Sequence, residues 1–154
     1  MRQSRASAPC PAPAALRGEE RALVADGEEA AAVTAANDAF YRAFESLDID
    51  DMTEAWARDE PVRCVHPGWR MLQGWTDVMA SWERIFDAAT MMHFVITDAE
   101  VSVEGEWAWV ACTENLTQVM NGQVVETRVQ TTNIFRRRDG HWAMVHHHGS
   151  PIMA

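Results

Sequence analysis

Three consecutive histidines, His146-His147-His148, close a segment that starts at Asp139-Gly140 and runs through His141-Trp-Ala-Met-Val, and another, His66, follows the short apolar run Val62-Arg-Cys-Val. Imidazole titrates near neutrality, so it can take up and return a proton at little cost, or ligate a metal when neutral. If the final segment is extended, alternation places Trp142, Met144, His146 and His148 on one face and Ala143, Val145 and His147 on the other. An apolar stripe then ends in two imidazoles, and titratable groups on an apolar face indicate a pocket. His66, before the Pro67-Gly68 turn, is the candidate general base; the structural alternative is a ring bonded to a backbone carbonyl. Tyr41 and either Asn133 or His148 are candidate donors to developing oxyanion charge.

Glu114 lies inside the run Val110-Ala-Cys-Thr-Glu-Asn115, among residues that a strand would bury. A carboxylate there either pairs with a cation, Arg128 of the next strand being the nearest choice, or sits in a pocket with its pKa raised by desolvation. Seven tryptophans are present, and Trp56, Trp69 and Trp75 fall where helices and loops would cover a pocket mouth. Flat rings give large apolar contact with few torsions to freeze, which suits a small apolar or aromatic molecule. Glu114, Asn133 and His146 complete the expected binding residues.

Other chemistries find little support. His146 and His148 with His66 could form a metal site, but neither His-Glu-x-x-His nor Cys-x-x-Cys accompanies them, and the primary reading carries no metal. No glycine-rich phosphate loop or serine-nucleophile motif occurs, so no cofactor is expected. A net charge of -10 repels phosphate backbones and anionic lipids, which argues against nucleic acid and membrane partners. Arg136-Arg137-Arg138 reads as a solvated strand end. No apolar run approaches the ~20 residues that span a bilayer, and Arg2 and Arg5 precede no apolar signal core, so a cytoplasmic protein is expected. Cys10, Cys64 and Cys112 are odd in number and scattered, as for reduced structural thiols.

The elements that must position these residues follow from periodicity. Residues 1–27, rich in Ala, Pro, Ser and Arg, read as a disordered extension, and residues 28–154 as one domain. Val33, Ala36, Phe40, Phe44 and Leu47 mark a helix over roughly 29–46. A second short helix, capped by Asp50 or Asp51, should end before Pro61; a strand over 62–66, a small hairpin around 69–72 and a third helix after Gly74 follow. Glu104-Gly105, Asn121-Gly122 and Asp139-Gly140 then divide the rest into four long antiparallel strands, because such pairs accept the positive φ of tight hairpin turns. The order predicts an α+β fold, with helices packed into the concave face of a curved sheet.

This order, with Cys64-Val-His-Pro-Gly-Trp69, Gly74-Trp-Thr-Asp-Val-Met-Ala-Ser-Trp82, Thr132-Asn-Ile-Phe135 and Asp139 through Pro151, resembles the SnoaL-like branch of the nuclear-transport-factor-2-like superfamily over residues 30–152. The ending is also similar to the association domain of calcium/calmodulin-dependent kinases. The resemblance implies a cone-shaped, cystatin-like α+β barrel half, in which about three helices close over a pocket, and a homodimer paired through the outer sheet face. It implies an isomerase, cyclase or dehydratase of ketosteroid-isomerase-like type, without a cofactor, in which His66, Tyr41 and His148 are catalytic. A ligand-binding or homo-oligomerisation module without catalysis, and a metal-dependent enzyme using His66, His146 and His148, are the alternatives.

Overall fold

The computed structural model describes the backbone of residues 14–153, with side chains from residue 26. Residues 1–13 of the expected disordered extension, Cys10 among them, lie outside the described residues, and residues 14–27 are helical. Helix α1 is Ala14–Ser46, α2 is Ile49–Ala55 and α3 is Trp75–Ala88; strands are β1 Arg63–Val65, β2 Leu72–Gln73, β3 Ala89–Glu104, β4 Trp107–Met120, β5 Gln123–Arg138 and β6 His141–Pro151. α1 therefore begins well before the expected residue 29.

The buried stripe of α1 reads Val33, Asn37, Phe40, Tyr41 and Phe44, so two polar side chains sit inside a row that periodicity reads as apolar. α2 is capped by Asp48, not Asp50 or Asp51: the Asp48 carboxylate accepts the Asp50 N–H at 2.8 Å and satisfies a donor that the first turn leaves free.

Six strands form one curved, unclosed sheet in the order β2-β1-β6-β5-β4-β3, and the fold is α+β as expected. β3 to β6 form the antiparallel meander. Asn121 and Asp139 turn at φ 52° and 49° ahead of Gly122 and Gly140 at 76° and 77°, the double positive φ that hairpin twist favours. One pairing departs from the all-antiparallel expectation: β1 runs parallel to β6, Cys64 opposite His147. The two strands are distant in sequence, so no tight turn fixes their sense.

The core lies between the helices and the concave face. Phe40, Phe44, Phe86 and Trp82 of the helices interlock edge-on or tilted, and Phe94 of β3 packs on Phe44 at 4.6 Å. At the border strand β3, Glu45 Oε1 accepts the Phe94 N–H at 2.7 Å and lies 3.0 Å from His93 Nδ1.

The three arginines are not simply solvated. Arg136 and Arg138 both contact Glu60, Arg137 pairs with Glu29, and Arg136 and Arg137 lie over Trp107 and Trp142. Charge pairs and ring faces here tie β5 to α1 and to the segment before β1.

Candidate functional site

The site begins with an irregularity in β6. Ile134 pairs with His146 but its neighbour Phe135 pairs with Met144, which leaves Val145 as an extra residue. A bulge of this kind puts two successive residues on one face and resets the alternation beyond it. Met144 and His147 are consequently both buried, at 0% and 1% exposure, while His146 is half-buried and His148 exposed. The expected assignment is reversed: His147 faces inward, and His146 and His148 sit on the outer face with rings 6.1 Å apart. The metal alternative loses its geometry for the same reason, since the sheet separates His66 from the other two. Among the described residues no group of three or more metal-binding side chains converges.

His147, His66 and Glu114 open on one cavity of about 910 Å³, whose apolar lining includes Phe44, Trp69 and Met92. Trp69 is the one expected aromatic contact found there. Trp56 is 3% exposed and packs on Trp82 at 6.4 Å in the core. Trp75 lies beneath Arg58 and lines no part of the cavity. Periodicity cannot distinguish a helix-end tryptophan turned toward the core from one turned toward the mouth.

His66 is 3% exposed, wedged edge-on between Trp82 and Trp69 at 4.6 and 5.0 Å. Its Nε2 lies 2.8 Å from Ser81 Oγ, and that hydroxyl gives its single proton to Val78 O at 2.6 Å. Ser81 must therefore accept, so Nε2 carries the ring proton and Nδ1 the lone pair. The Cys64 thiol lies within sulfur hydrogen-bond reach of both ring nitrogens, 3.8 Å from Nδ1 and 3.7 Å from Nε2. Desolvation, assisted by the Arg84 charge, brings the imidazole down to about 4, so it is neutral at physiological pH.

Across the cavity, side chains from α1, β4, β5 and β6 form a continuous network. The Asn133 amide donates to Asn37 Oδ1 at 2.8 Å and to the Tyr41 hydroxyl at 3.3 Å. Its carbonyl then faces His147 Nδ1 at 2.7 Å, so His147 is protonated on Nδ1. Tyr41 in turn donates to Glu114 Oε1 at 2.7 Å, with Cys112 Sγ at 3.5 Å. From His147 through Asn133 and Tyr41 the donors run toward the carboxyl, with a side branch from Asn133 to Asn37. Burial, with the His66, His146 and His148 rings nearby, holds His147 well below the ordinary histidine range. Burial raises Tyr41 and pushes Cys112 up to about 11.

Glu114, 3% exposed, has no partner in Arg128: it stands opposite Val129, and Arg128 stands opposite Asn115, one position away and on the other face. Burial raises its carboxyl pKa, while Tyr41 and the Thr131 hydroxyl act in the opposite direction. Thr131 Oγ1 lies close enough to influence the carboxyl without making a hydrogen bond of ordinary geometry. Asn37 and His147 escaped sequence reasoning. Asn37 could have been found from its place four residues after Val33 and four before Tyr41; His147 is visible only through the cross-strand register.

The arrangement offers two neutral imidazoles and a carboxyl with elevated proton affinity in an apolar enclosure. Such a set can take a proton at one point and deliver one at another.

The SnoaL-like domain family matches residues 33–154. Similar solved structures include a protein of Streptomyces avermitilis proposed as a dehydratase of the NTF2-like family, 36% identical over 83% of this chain and 99% of that one, TM-score 0.79. Another is a protein of Thiobacillus denitrificans proposed as a calcium/calmodulin-dependent protein kinase type II association domain, 34% identical over 78% of this chain and 94% of that one, TM-score 0.70. F-box protein SKIP8 of Arabidopsis thaliana is 25% identical over 122 residues, 79% of this chain; the chain spans about half the length of that relative, 50%. No helix of the described residues is long and apolar enough to cross a membrane.

Proposed function

Because the chain belongs to the SnoaL-like domain family, we propose that its cavity receives a small apolar or aromatic molecule and performs cofactor-free proton transfer on it, as an isomerase or a dehydratase. One observation carries this reading: neutral His66 and the carboxyl of Glu114, its pKa raised by burial, open on the same cavity. The dehydratase proposed for the 36%-identical relative supports the same class of chemistry.

In a dehydration, the His66 Nδ1 lone pair takes the hydrogen α to a carbonyl. Glu114 gives its proton to the β-hydroxyl, which leaves as water while the carbon–carbon double bond forms. Return of the proton from imidazolium to carboxylate restores both groups. Tyr41 holds the carboxyl in place and does not reach the ligand itself, its hydroxyl being committed to Glu114. Isomerisation uses the same pair, with the proton returned to a different carbon.

In this reading the protein is a cytoplasmic homodimer, paired through the outer sheet face where Trp107 and Trp109 are 42% and 40% exposed. A purely associating or ligand-holding module is the second reading, favoured by those tryptophans and by the association-domain proposal for the 34%-identical relative.

The test is proton NMR in D₂O with a panel of aryl ketones and aryl β-hydroxy ketones. Deuterium uptake at the α carbon, or loss of water, should be catalysed by the wild type and reduced at least about a hundredfold in His66→Ala, the usual scale for a general base. A panel turned over no faster by wild type than by His66→Ala and Glu114→Gln would leave the associating module as the better account.

A further inference from the structure

His147 has no part in the proton transfer just described, yet it is fixed more closely than any other ring in the site. Its Nδ1–H is bonded to Asn133 Oδ1 at 2.7 Å. The Asn133 amide is oriented by its nitrogen, which donates to Asn37 Oδ1 and to the Tyr41 hydroxyl, whose own proton goes to Glu114. Phe40 and Trp82 flank the ring at 5.1 and 5.8 Å. The ring lines the cavity, and Nε2 is bonded by no group among the described residues. A neutral imidazole with a fixed Nδ1 proton is an acceptor at Nε2 and nothing else.

The geometry points to His147 as a specificity residue that accepts a hydrogen bond from a hydroxyl on the ligand, held in its tautomer by the Asn37–Asn133 pair, so that the cavity selects hydroxylated aromatic molecules over their ethers. The inference rests on the ligand-binding half of the reading above and not on catalysis. A buried acceptor is costly to leave without a donor, and a methyl ether offers none. The hydroxyl in question is additional to the reacting group at His66, whose ring centre lies 6.3 Å from that of His147. Asn133 is then a positioning residue: it need not touch the ligand, but it decides which nitrogen of His147 the ligand meets.

The probes are 1-naphthol and 1-methoxynaphthalene, titrated calorimetrically against the full chain at pH 7.5. Wild type should bind the naphthol about tenfold or more tightly than the ether, the scale of one well-placed buried hydrogen bond. His147→Phe should bring the ratio close to one, weakening naphthol binding and relieving the ether of an unpartnered acceptor. Nitrogen-15 spectra of labelled histidine should show His147 protonated on Nδ1, with Nε2 moving on naphthol addition, and Asn133→Leu should mix the two tautomers. Should Asn133→Leu not fold, the wild-type spectrum decides the tautomer alone. Equal affinities, a proton on Nε2, or failure of both naphthalenes to bind would overturn the proposal. Naphthol discrimination without turnover of the ketone panel would instead sink the catalytic reading and leave this one standing.

Discussion

Tyr41 donates its hydroxyl proton to Glu114 across 2.7 Å, joining the first helix to the middle of β4 inside the cone. The bond fixes the carboxyl in the cavity wall without neutralising it, which a cation such as Arg128 would have done.

Replacement of Tyr41 by Phe should therefore cost about 1–3 kcal/mol, the usual penalty for stripping a buried polar group of its partner. Urea denaturation compared with wild type measures it. A loss of only a few tenths would mean that the tyrosine is not what holds Glu114.

Glu114 should make stability fall as pH rises. Its folded pKa lies above the ordinary carboxyl value of 4.5, so its contribution is complete below the unfolded pKa and is lost as pH climbs through the folded one. Glu114→Gln should accordingly gain on wild type as pH increases above about 4.5. Unfolding midpoints at pH 5 and pH 8 give the comparison, and parallel midpoints would contradict it.

His66 acts in the opposite sense. Its pKa falls from 6.5 to about 4 on folding, so its contribution is present above 6.5 and is lost as pH drops through that window, a total of about 3 kcal/mol. His66→Gln should flatten this part of the profile, and an unaltered acid limb would refute the assignment of a neutral buried ring.

The tryptophans should separate by function. Trp56→Ala, a core truncation, should cost about 3–5 kcal/mol of stability. Trp69→Ala, at 36% exposure on the cavity wall, should weaken naphthalene binding with less than about 1 kcal/mol of destabilisation. The opposite pattern would place the mouth elsewhere.

Gly149 leaves room that no other residue would. A Cβ there would lie 2.9 Å from Val129 Cγ1 and 3.2 Å from Pro67 Cγ, both atoms of residues lining the cavity. Gly149→Ala should cost about 1–3 kcal/mol through overpacking, measured by thermal unfolding; an unchanged transition would show that Pro67 gives way freely.

The meander was legible because its turns are local: Asn121-Gly122 and Asp139-Gly140 specify hairpins from a pair of residues each. The helical stripe was legible for the same reason. What failed was alternation through Val145, where nothing in the side chains marks an extra residue and only the partner strand reveals it. That single residue decides which histidine of β6 faces the cavity. Glu114 stood out from its apolar neighbours, but its hydrogen-bond partner lies 73 positions earlier, in α1, beyond any pattern read along one strand. Trp56 and Trp75 show the same limit, since the direction of an aromatic ring at a helix end is set by tertiary packing.

β3 is a sixteen-residue strand with no strand neighbour on one side among the described residues, and a border of that length is an open template for any passing chain. The carboxylate of Glu45 occupies the place on Phe94 N–H that a foreign carbonyl would need, and a kink with Asp98 at φ 53° breaks the register farther along. The molecule thus seals its own border from within. Growth by strand addition is discouraged there, which makes the rim a poor seat for a second chain.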